Sequence, residues 1–445
     1  MGQVNTNLLQ PGMAVSTTNG TIYHIEKQIS EGGQGWTYLA TGPYGKKCLK
    51  IYKPEMLQHF STMMDSLRRK LPKPPHHDGY IWPQEIFDTD DIKGYVMDFV
   101  DSSFVLMDKF LLAKSQGGVR FKSLKITIDA MLGLVSAFNV LHQTGYNYQD
   151  LSRGNFMINP ETGDVKIIDN DNVSVEGTAS GILGTPGYIA PEVLAKKSIP
   201  SINSDRFSLS VILFLLLMHG HPLEGKRFLV ELLAEEQNMA LYCTDPVFIF
   251  DPQNRCNALL PDKLPQHAAM ERLWNWLPDY VKELFQRAFS RETMLEKPSL
   301  RPTESEWERM LIRFRSDVIT CPHCDSEALF TGNTNMHCDK CRRSMGKITV
   351  MSTTKCKYKI PLEYGSAVMS SQLRFCNIGE GAKKELVIKR KADDHTVLFL
   401  VNNSSKPIMV GTSDGKNIPM EAGKGVMLSA VKHIRMSDGV LITAE

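Results

Sequence analysis

Five short segments in a fixed order constrain this chain more than its composition does. Tyr148-Gln149-Asp150-Leu151-Ser152-Arg153-Gly154-Asn155 is followed by Val165-Lys166-Ile167-Ile168-Asp169-Asn170-Asp171. Next comes Gly184-Thr185-Pro186-Gly187-Tyr188-Ile189-Ala190-Pro191-Glu192. Ser204-Asp205-Arg206-Phe207-Ser208-Leu209 then opens an apolar run, and Leu300-Arg301-Pro302-Thr303 precedes a capped helix. Two weaker signals lie upstream. In Ile29-Ser30-Glu31-Gly32-Gly33-Gln34-Gly35-Trp36, the glycines let backbone amides approach a phosphate without a Cβ in the way. Such a turn alone also reads as a flexible hairpin. Cys48-Leu49-Lys50-Ile51-Tyr52 sets a lysine inside an apolar strand, which is costly unless a charged partner such as a nucleotide phosphate meets it. An exposed edge lysine is the plainer reading of that segment alone.

Around these segments the pattern changes from β to helical and back. Residues 20–55 alternate apolar and polar about the glycine cluster, as strand, turn, strand. A helix is expected over 56–70, stopped by Pro72, Pro74 and Pro75. Strands are expected at Tyr80–Phe87 and Tyr95–Val100. Leu124, Ile128, Met131, Val135, Phe138 and Leu141 then mark one face of a long helix. Thr303-Glu304-Ser305-Glu306 is a capping box for a helix ending near Arg315. After Ile319 come clustered cysteines, then β-type runs such as Leu386–Lys389, Val397–Val401, Ile408–Val410 and Val440–Thr443, which read as a sandwich or barrel. The expected layout is an extension over 1–19, a unit over 20–317 with lobes 20–100 and 101–317, a cysteine module over 318–345 and a β-domain over 346–445.

In this order and spacing, the segments resemble the eukaryotic-type protein kinase family over roughly residues 20–317. The resemblance implies an α+β, two-lobed kinase fold using ATP and Mg²⁺, with Mn²⁺ as a substitute metal. It matches Lys50 to the lysine that holds the α- and β-phosphates and Asp150 to the aspartate that accepts the substrate hydroxyl proton. Asn155 and Asp169 match the two metal ligands, and oxygen ligands of this kind suit a hard cation. Gly32, Gly33 and Gly35 become the phosphate-covering loop. Met97 takes the gatekeeper position, with Asp98-Phe99-Val100 as the hinge and adenine bonded to the backbone of Asp98 and Val100. Glu192 and Arg301 match a structural ion pair, and Asp205 matches the brace of the catalytic loop. Thr185 matches a residue that contacts the catalytic aspartate in Ser/Thr-specific members. Protein substrates are therefore expected, the chain itself included. Ser174, Thr178 and Ser180 are candidate autophosphorylation positions, beside the reading of an unmodified polar loop.

The departures from the family pattern are as informative as the matches. The first loop glycine is Ser30. Tyr148-Gln149 replaces the usual His-Arg, so an activation-loop phosphate lacks its arginine partner next to Asp150. Activity is then expected to be independent of that phosphorylation, an idea that loss of turnover on alanine substitution of Ser174, Thr178 and Ser180 would overturn. Ser152 stands where a lysine is usual, and Arg153 is the candidate replacement cation at the γ-phosphate, against a solvated charge. Asp169-Asn170-Asp171 replaces Asp-Phe-Gly. The acidic partner of Lys50 is expected to be Asp65, with Glu55 as competitor. The rival to an active kinase is a pseudokinase scaffold that binds nucleotide or partners without turnover.

Cys321-Pro322-His323-Cys324 and Cys338-Asp339-Lys340-Cys341 form two knuckles whose spacing suits four thiolates around Zn²⁺ in a structural ribbon, iron being the competing metal. Lys340, Arg342, Arg343 and Lys347 flank them with little aromatic interleaving, which favours a solvated basic surface over nucleic-acid binding. With Lys+Arg 51 against Asp+Glu 49, bulk charge also argues against a nucleic-acid partner. The last hundred residues loosely resemble the forkhead-associated sandwich. They lack its Gly-Arg turn and Ser-x-x-His pattern, so a docking module is expected instead of a phosphothreonine reader. Nine cysteines, an odd number in a long chain, argue against a disulfide framework. The longest apolar run, Phe207–Met218, is too short for a membrane span. Met1-Gly2-Gln3-Val4-Asn5-Thr6 fits the short myristoylation pattern. A cytoplasmic location is expected. The architecture as a whole resembles bacterial kinases encoded beside von Willebrand A-type proteins and metal-dependent Ser/Thr phosphatases in tellurite-resistance and stress loci, which implies those proteins as partners.

Overall fold

The computed structural model describes residues 9–445 except 55–59, 72, 90–91, 179–183, 230–233 and 378. The myristoylation pattern, Glu55, Pro72 and Ser180 lie outside the described residues.

The first lobe is one antiparallel sheet with a helix against it. Its strands are β1 (Ala14–Ser16), β2 (Ile22–Glu31), β3 (Gly35–Gly42), β4 (Gly45–Tyr52), β5 (Glu85–Asp88) and β6 (Lys93–Asp98), in the order β1-β2-β3-β4-β6-β5. Because β1 pairs with β2, part of the expected extension is in fact the sheet's edge strand. Alternation sends Tyr23, Ile25, Tyr38, Leu49, Phe87 and Val96 into one apolar layer. Tyr52, Ile86, Tyr95 and Met97 form a second with Met64 and Leu67 of helix α1 (Phe60–Lys70). Two glycines are dictated by this sheet. A Cβ on Gly35 would meet the Ile51 carbonyl oxygen at 2.3 Å, and one on Gly94 the Lys50 carbonyl oxygen at 2.0 Å.

The second lobe is helical. Its central helices are Leu124–Gln143 and Ile202–Met218, each opened by a serine cap, Ser123 and Ser201. The apolar run Phe207–Met218 is buried throughout, as a helix hydrophobic on all sides must be. Leu124–Gln143 is the one described helix long and apolar enough to cross a membrane by length and composition. Two-thirds of its most apolar stretch is buried inside this lobe. Lys125 and Asp129 interrupt this helix, so it is not a continuous apolar run of that length. The helix Glu304–Asp317 starts as its capping box requires, with Thr303 N donating to Glu306 Oε2 at 2.9 Å.

Two small hairpins carry the cysteine knuckles, Val318–Thr320 with Glu327–Leu329 and Asn335–His337 with Ser344–Lys347. Beyond them, a six-stranded and a four-stranded sheet enclose Met351, Ile360, Leu386, Leu400, Val410, Ile434 and Ile442. Two open sheets make this a sandwich and settle the choice left open against a barrel.

The sandwich is bolted to the helical lobe by contacts that span the sequence. Asp129 of the long helix accepts from Arg315 Nε at 2.5 Å and from Lys384 Nζ at 2.8 Å. Lys125 Nζ donates to the Tyr364 carbonyl at 3.0 Å, and Gln372 Nε2 to Ser316 Oγ at 2.9 Å. Glu327, from the cysteine hairpins, accepts from Leu124 N at 2.9 Å and so places negative charge at the N-terminus of the long helix. Ala367 and Met369 of the sandwich join the helical lobe's own core.

Candidate active site

The site forms where β4 faces the loop after strand Val165–Ile167. β4 alternation turns Lys50 and Tyr52 to the same side. Lys50 Nζ lies 3.2 Å from Asp169 Oδ1, 3.0 Å from Asp171 Oδ2 and 3.3 Å from Gln34 Oε1 of the glycine turn. Tyr52 OH donates to Asp171 Oδ2 at 2.8 Å. Burial pushes the Lys50 pKa down, but the charges and hydrogen bonds of Asp171 and Asp169 outweigh it and raise it. Burial pushes Asp171 up, and Lys50 and Tyr52 hold it below the usual carboxylate range. The result is a buried, ionised pair. Asp169 adopts a left-handed backbone (φ 58°), a sparsely populated conformation for a non-glycine residue. Its side chain is 38% exposed, whereas that of Asp171 is fully buried.

These contacts correct the expectation for the lysine's partner. Asp65 of α1 is largely exposed and pairs with Arg68 at 3.2 Å. The acid comes instead from Asp171, at the place where the family has glycine. Sequence spacing hides such a pair, and the one available signal was a carboxylate in place of that glycine. Lys70, the last residue of α1, also reaches the loop, donating to the Asp171 carbonyl at 2.6 Å. Burial lowers its pKa to about 8.

Asp150 sits beside this cluster. Asn172 Nδ2 lies 3.5 Å from its Oδ2. Its Oδ1 is buried with no well-formed hydrogen bond among the described residues. Burial, then the charges of Asp171 and Asp169, raise its pKa; Lys50 and the backbone N–H of Thr185 pull the other way. Thr185 itself is exposed. Asn155 is buried, and its Oδ1 accepts from Ser152 N at 3.1 Å and Ser152 Oγ at 2.5 Å. Asp169 is therefore the better presented of the two expected metal ligands.

The replaced motif residues have found other partners. Tyr148 OH donates to the Ile168 carbonyl at 2.5 Å and lies 3.2 Å from that of Asp169. Gln149 Nε2 donates to the Thr178 carbonyl at 2.7 Å, tying the following segment to the loop without a phosphate. Asn170 Nδ2 bonds the carbonyls of Ile81 and Ile167, both at 2.9 Å, so an amide anchors the loop where the family uses apolar packing. Arg153, the candidate cation for the γ-phosphate, is engaged by another acid. It is half exposed and pairs with Asp108 at 2.5 Å, a contact 45 residues away in sequence that its local segment could not reveal.

At the glycine turn, the Gly32 amide donates to the Gly35 carbonyl at 2.8 Å, and Gly33 has open space around it. Met97 is buried at the end of β6. The Asp98 side chain is held by Lys47 at 2.6 Å and Gln84 at 2.8 Å. Asp98 and Val100 line a cleft of about 780 Å³ with His76, His77 and Tyr80, which Lys50, Asp150 and Asp169 do not reach.

Behind the site runs a buried polar chain. Asp205 accepts from Tyr148 N at 2.6 Å and Gln149 N at 3.3 Å, bracing the loop as expected. His142 bridges Asp205 (3.1 Å) and Glu304 (3.0 Å), and Arg206 also holds Glu304 at 3.0 Å. Burial alone would lower the His142 pKa; hydrogen bonds to Asp205 and Glu304 raise it to about 9. Burial would raise Glu304, but His142 and Arg206 bring it to about 2. The His142 contribution is thus complete below the free imidazole value of ~6.5 and is lost as pH rises through about 9. Wild type should lose on the order of 3 kcal/mol of stability between these limits, read as a falling melting temperature. His142→Gln should flatten that limb, and equal slopes for the two proteins would refute the assignment.

The four thiols of the hairpins converge. Their sulfurs lie within 4.8 Å of one another, with Cys321–Cys341 at 3.8 Å and Cys324–Cys338 at 3.6 Å. Sulfurs at ~2.3 Å from one tetrahedral ion would stand ~3.8 Å apart, so the donor set fits a four-thiolate centre. His323 bonds the Ser344 carbonyl at 2.9 Å and stays outside the set.

The protein kinase domain family matches residues 23–291, more than half of the chain. CBL-interacting serine/threonine-protein kinase 5 of Arabidopsis thaliana is 25% identical over 219 residues, covering 46% of this chain and 47% of that protein. Protein kinase C delta type of Mus musculus is 33% identical over 146 residues, covering 31% of this chain and 20% of that protein. The chain thus spans less than half the length of these relatives. The Mycobacterium tuberculosis PknI kinase domain aligns with 69% of this chain and 99% of its own, at 15% identity and a TM-score of 0.45. On the family match over residues 23–291, this chain belongs to the protein kinase family.

Proposed function

We propose that the chain is an active serine/threonine kinase that transfers the γ-phosphoryl group of ATP to protein hydroxyls. The observation that carries this reading is the buried, ionised Lys50 held between Asp169 and Asp171, with Asp150 beside them. Nucleotide and Mg²⁺ supply the phosphoryl donor and the neutralising charge. Lys50 holds the α- and β-phosphates, and Gly32, Gly33 and Gly35 allow main-chain amides to cover them. Asp169 would hold the metal, with Asn155, whose Oδ1 accepts from Ser152, as the second ligand. Asp150 takes the hydroxyl proton on its buried carboxylate, whose raised pKa suits a base. Thr185 orients Asp150 through its backbone N–H. Gln149, tied to the Thr178 carbonyl, supports activity without activation-loop phosphorylation.

The four-thiol centre is proposed to hold structural Zn²⁺, leaving no open ligand position for catalysis. None of the nine cysteines pairs in a disulfide, which supports a reducing, cytoplasmic setting. Stress signalling with a von Willebrand A-type protein and a metal-dependent phosphatase rests on architectural resemblance. Incubation with γ-labelled ATP, Mg²⁺ and a generic protein substrate should place label on serine or threonine. ATP-dependent thermal stabilisation with no label on any protein would instead support the scaffold reading.

A further inference from the structure

We propose that Asp171, on the metal loop, is the positioning carboxylate of Lys50, so that alignment of the lysine does not depend on an acid from α1. The proposal rests on the kinase reading for its catalytic consequence and on geometry for the pairing itself.

Three observations carry it. First, β4 delivers two groups to one carboxylate: Lys50 Nζ at 3.0 and 3.2 Å and Tyr52 OH at 2.8 Å. The side chain of Asp171 is fully buried, so its oxygens are committed to these partners and not to the cleft. Second, the only acid in the described part of α1 is engaged elsewhere. Asp65 pairs with Arg68, which also pairs with Asp88 of β5. Third, α1 touches the loop through a cation. Lys70 donates to the Asp171 carbonyl, so α1 steadies the loop's main chain and leaves the carboxylate to Lys50.

The arrangement divides labour between two acids two residues apart. Asp169 is partly exposed and contacts Lys50 with one oxygen at 3.2 Å. It is free to turn to a metal without stranding the lysine, because Asp171 keeps the ammonium in place and charged. Since Asp169 and Asp171 share one short loop, lysine alignment and metal binding are set together. Displacing α1 breaks the Lys70 contact and leaves the Lys50–Asp171 pair intact. Asp171 is a positioning residue, acting on the phosphates only through Lys50.

The test compares Asp171→Asn and Asp65→Ala in the full chain. Asp171→Asn should lower kcat/KM for ATP by about 100-fold, the order of loss that follows from misplacing a catalytic group. Its half-saturating Mg²⁺ concentration should stay unchanged, and Asp65→Ala should stay within about twofold of wild type by the same reasoning. A rise in the Mg²⁺ requirement matching the activity loss would make Asp171 a metal ligand and overturn the proposal. So would an equal loss in Asp65→Ala. A second readout does not need turnover: thermal unfolding of Lys50→Met, Asp171→Asn and the double variant. Because the two groups contact each other, the double variant should lose clearly less melting temperature than the sum of the two single losses. Additive losses overturn the pairing. If wild type transfers no phosphate but the losses are non-additive, the kinase reading fails while the pairing stands. Should Asp171→Asn not fold, Tyr52→Phe removes one donor that orients the carboxylate. It should cost about 5–10-fold in kcat/KM at unchanged Mg²⁺ requirement, and no loss there counts against the proposal.

Discussion

Replacing Arg301 with alanine is expected to cost about 3–5 kcal/mol of stability, the usual range for breaking a buried ion pair from one side. The guanidinium is fully buried and forks onto both Glu192 oxygens at 2.7 and 2.8 Å. It also donates to the Asn203 carbonyl at 2.9 Å and the Thr293 carbonyl at 3.1 Å, and its Cζ lies 5.3 Å from the centre of the Phe207 ring. Alanine leaves the partly buried Glu192 carboxylate and both carbonyls without this donor. Arg301 therefore ties three parts of the helical lobe: the short helix at Glu192, the start of the helix Ile202–Met218 and the turn at Thr293. Thermal unfolding should shift by roughly 10 °C, and Arg301→Lys should recover only part because an ammonium cannot fork. A shift under about 2 °C for the alanine variant would place the energy of this junction elsewhere.

Metal removal should have the other large effect. Four thiolates closing on Zn²⁺ carry an apparent binding free energy of ~10 kcal/mol or more, and in small modules that energy is folding energy. The core beneath this centre is small: Ile319, Ala328, Phe330, Met345, Ile348 and Val350. A strong chelator should release one zinc per chain and unfold residues 318–345, read as loss of amide protection there. The damage should spread, because Glu327 caps the helix Leu124–Gln143 and Val318–Thr320 continues directly from the helix Glu304–Asp317. Cys321→Ser should reproduce it. Iron in place of zinc would show in the visible spectrum, and a metal-free protein unaffected by chelator would refute a structural metal.

How much of this was legible in the sequence differs by kind of contact. The grouping of Lys50, Asp150 and Asp169 was legible because the kinase resemblance names those residue types, each in its own short segment. Asp205 and the Glu192–Arg301 pair were readable for the same reason. The helices announced themselves through caps and periodicity, as at Thr303 and along Leu124–Leu141. Partner choice was not readable. Lys50 and Asp171 are 121 positions apart, and a carboxylate in place of glycine states only that the loop differs. Arg153 carried the right charge in the right segment, but Asp108 takes it. The docking of the sandwich depends on Asp129, Arg315 and Lys384, three charges on separate elements that any local reading assigns to solvent.

The most direct test of the account is phosphoryl transfer from γ-labelled ATP with Mg²⁺ by wild type and by Asp150→Ala side by side. The account predicts label on serine or threonine with wild type and at least about 10²–10³-fold less with the variant, the loss expected on removing a positioned base, while ATP still binds both. No transfer by wild type above the variant, with both proteins folded and binding ATP, would contradict it.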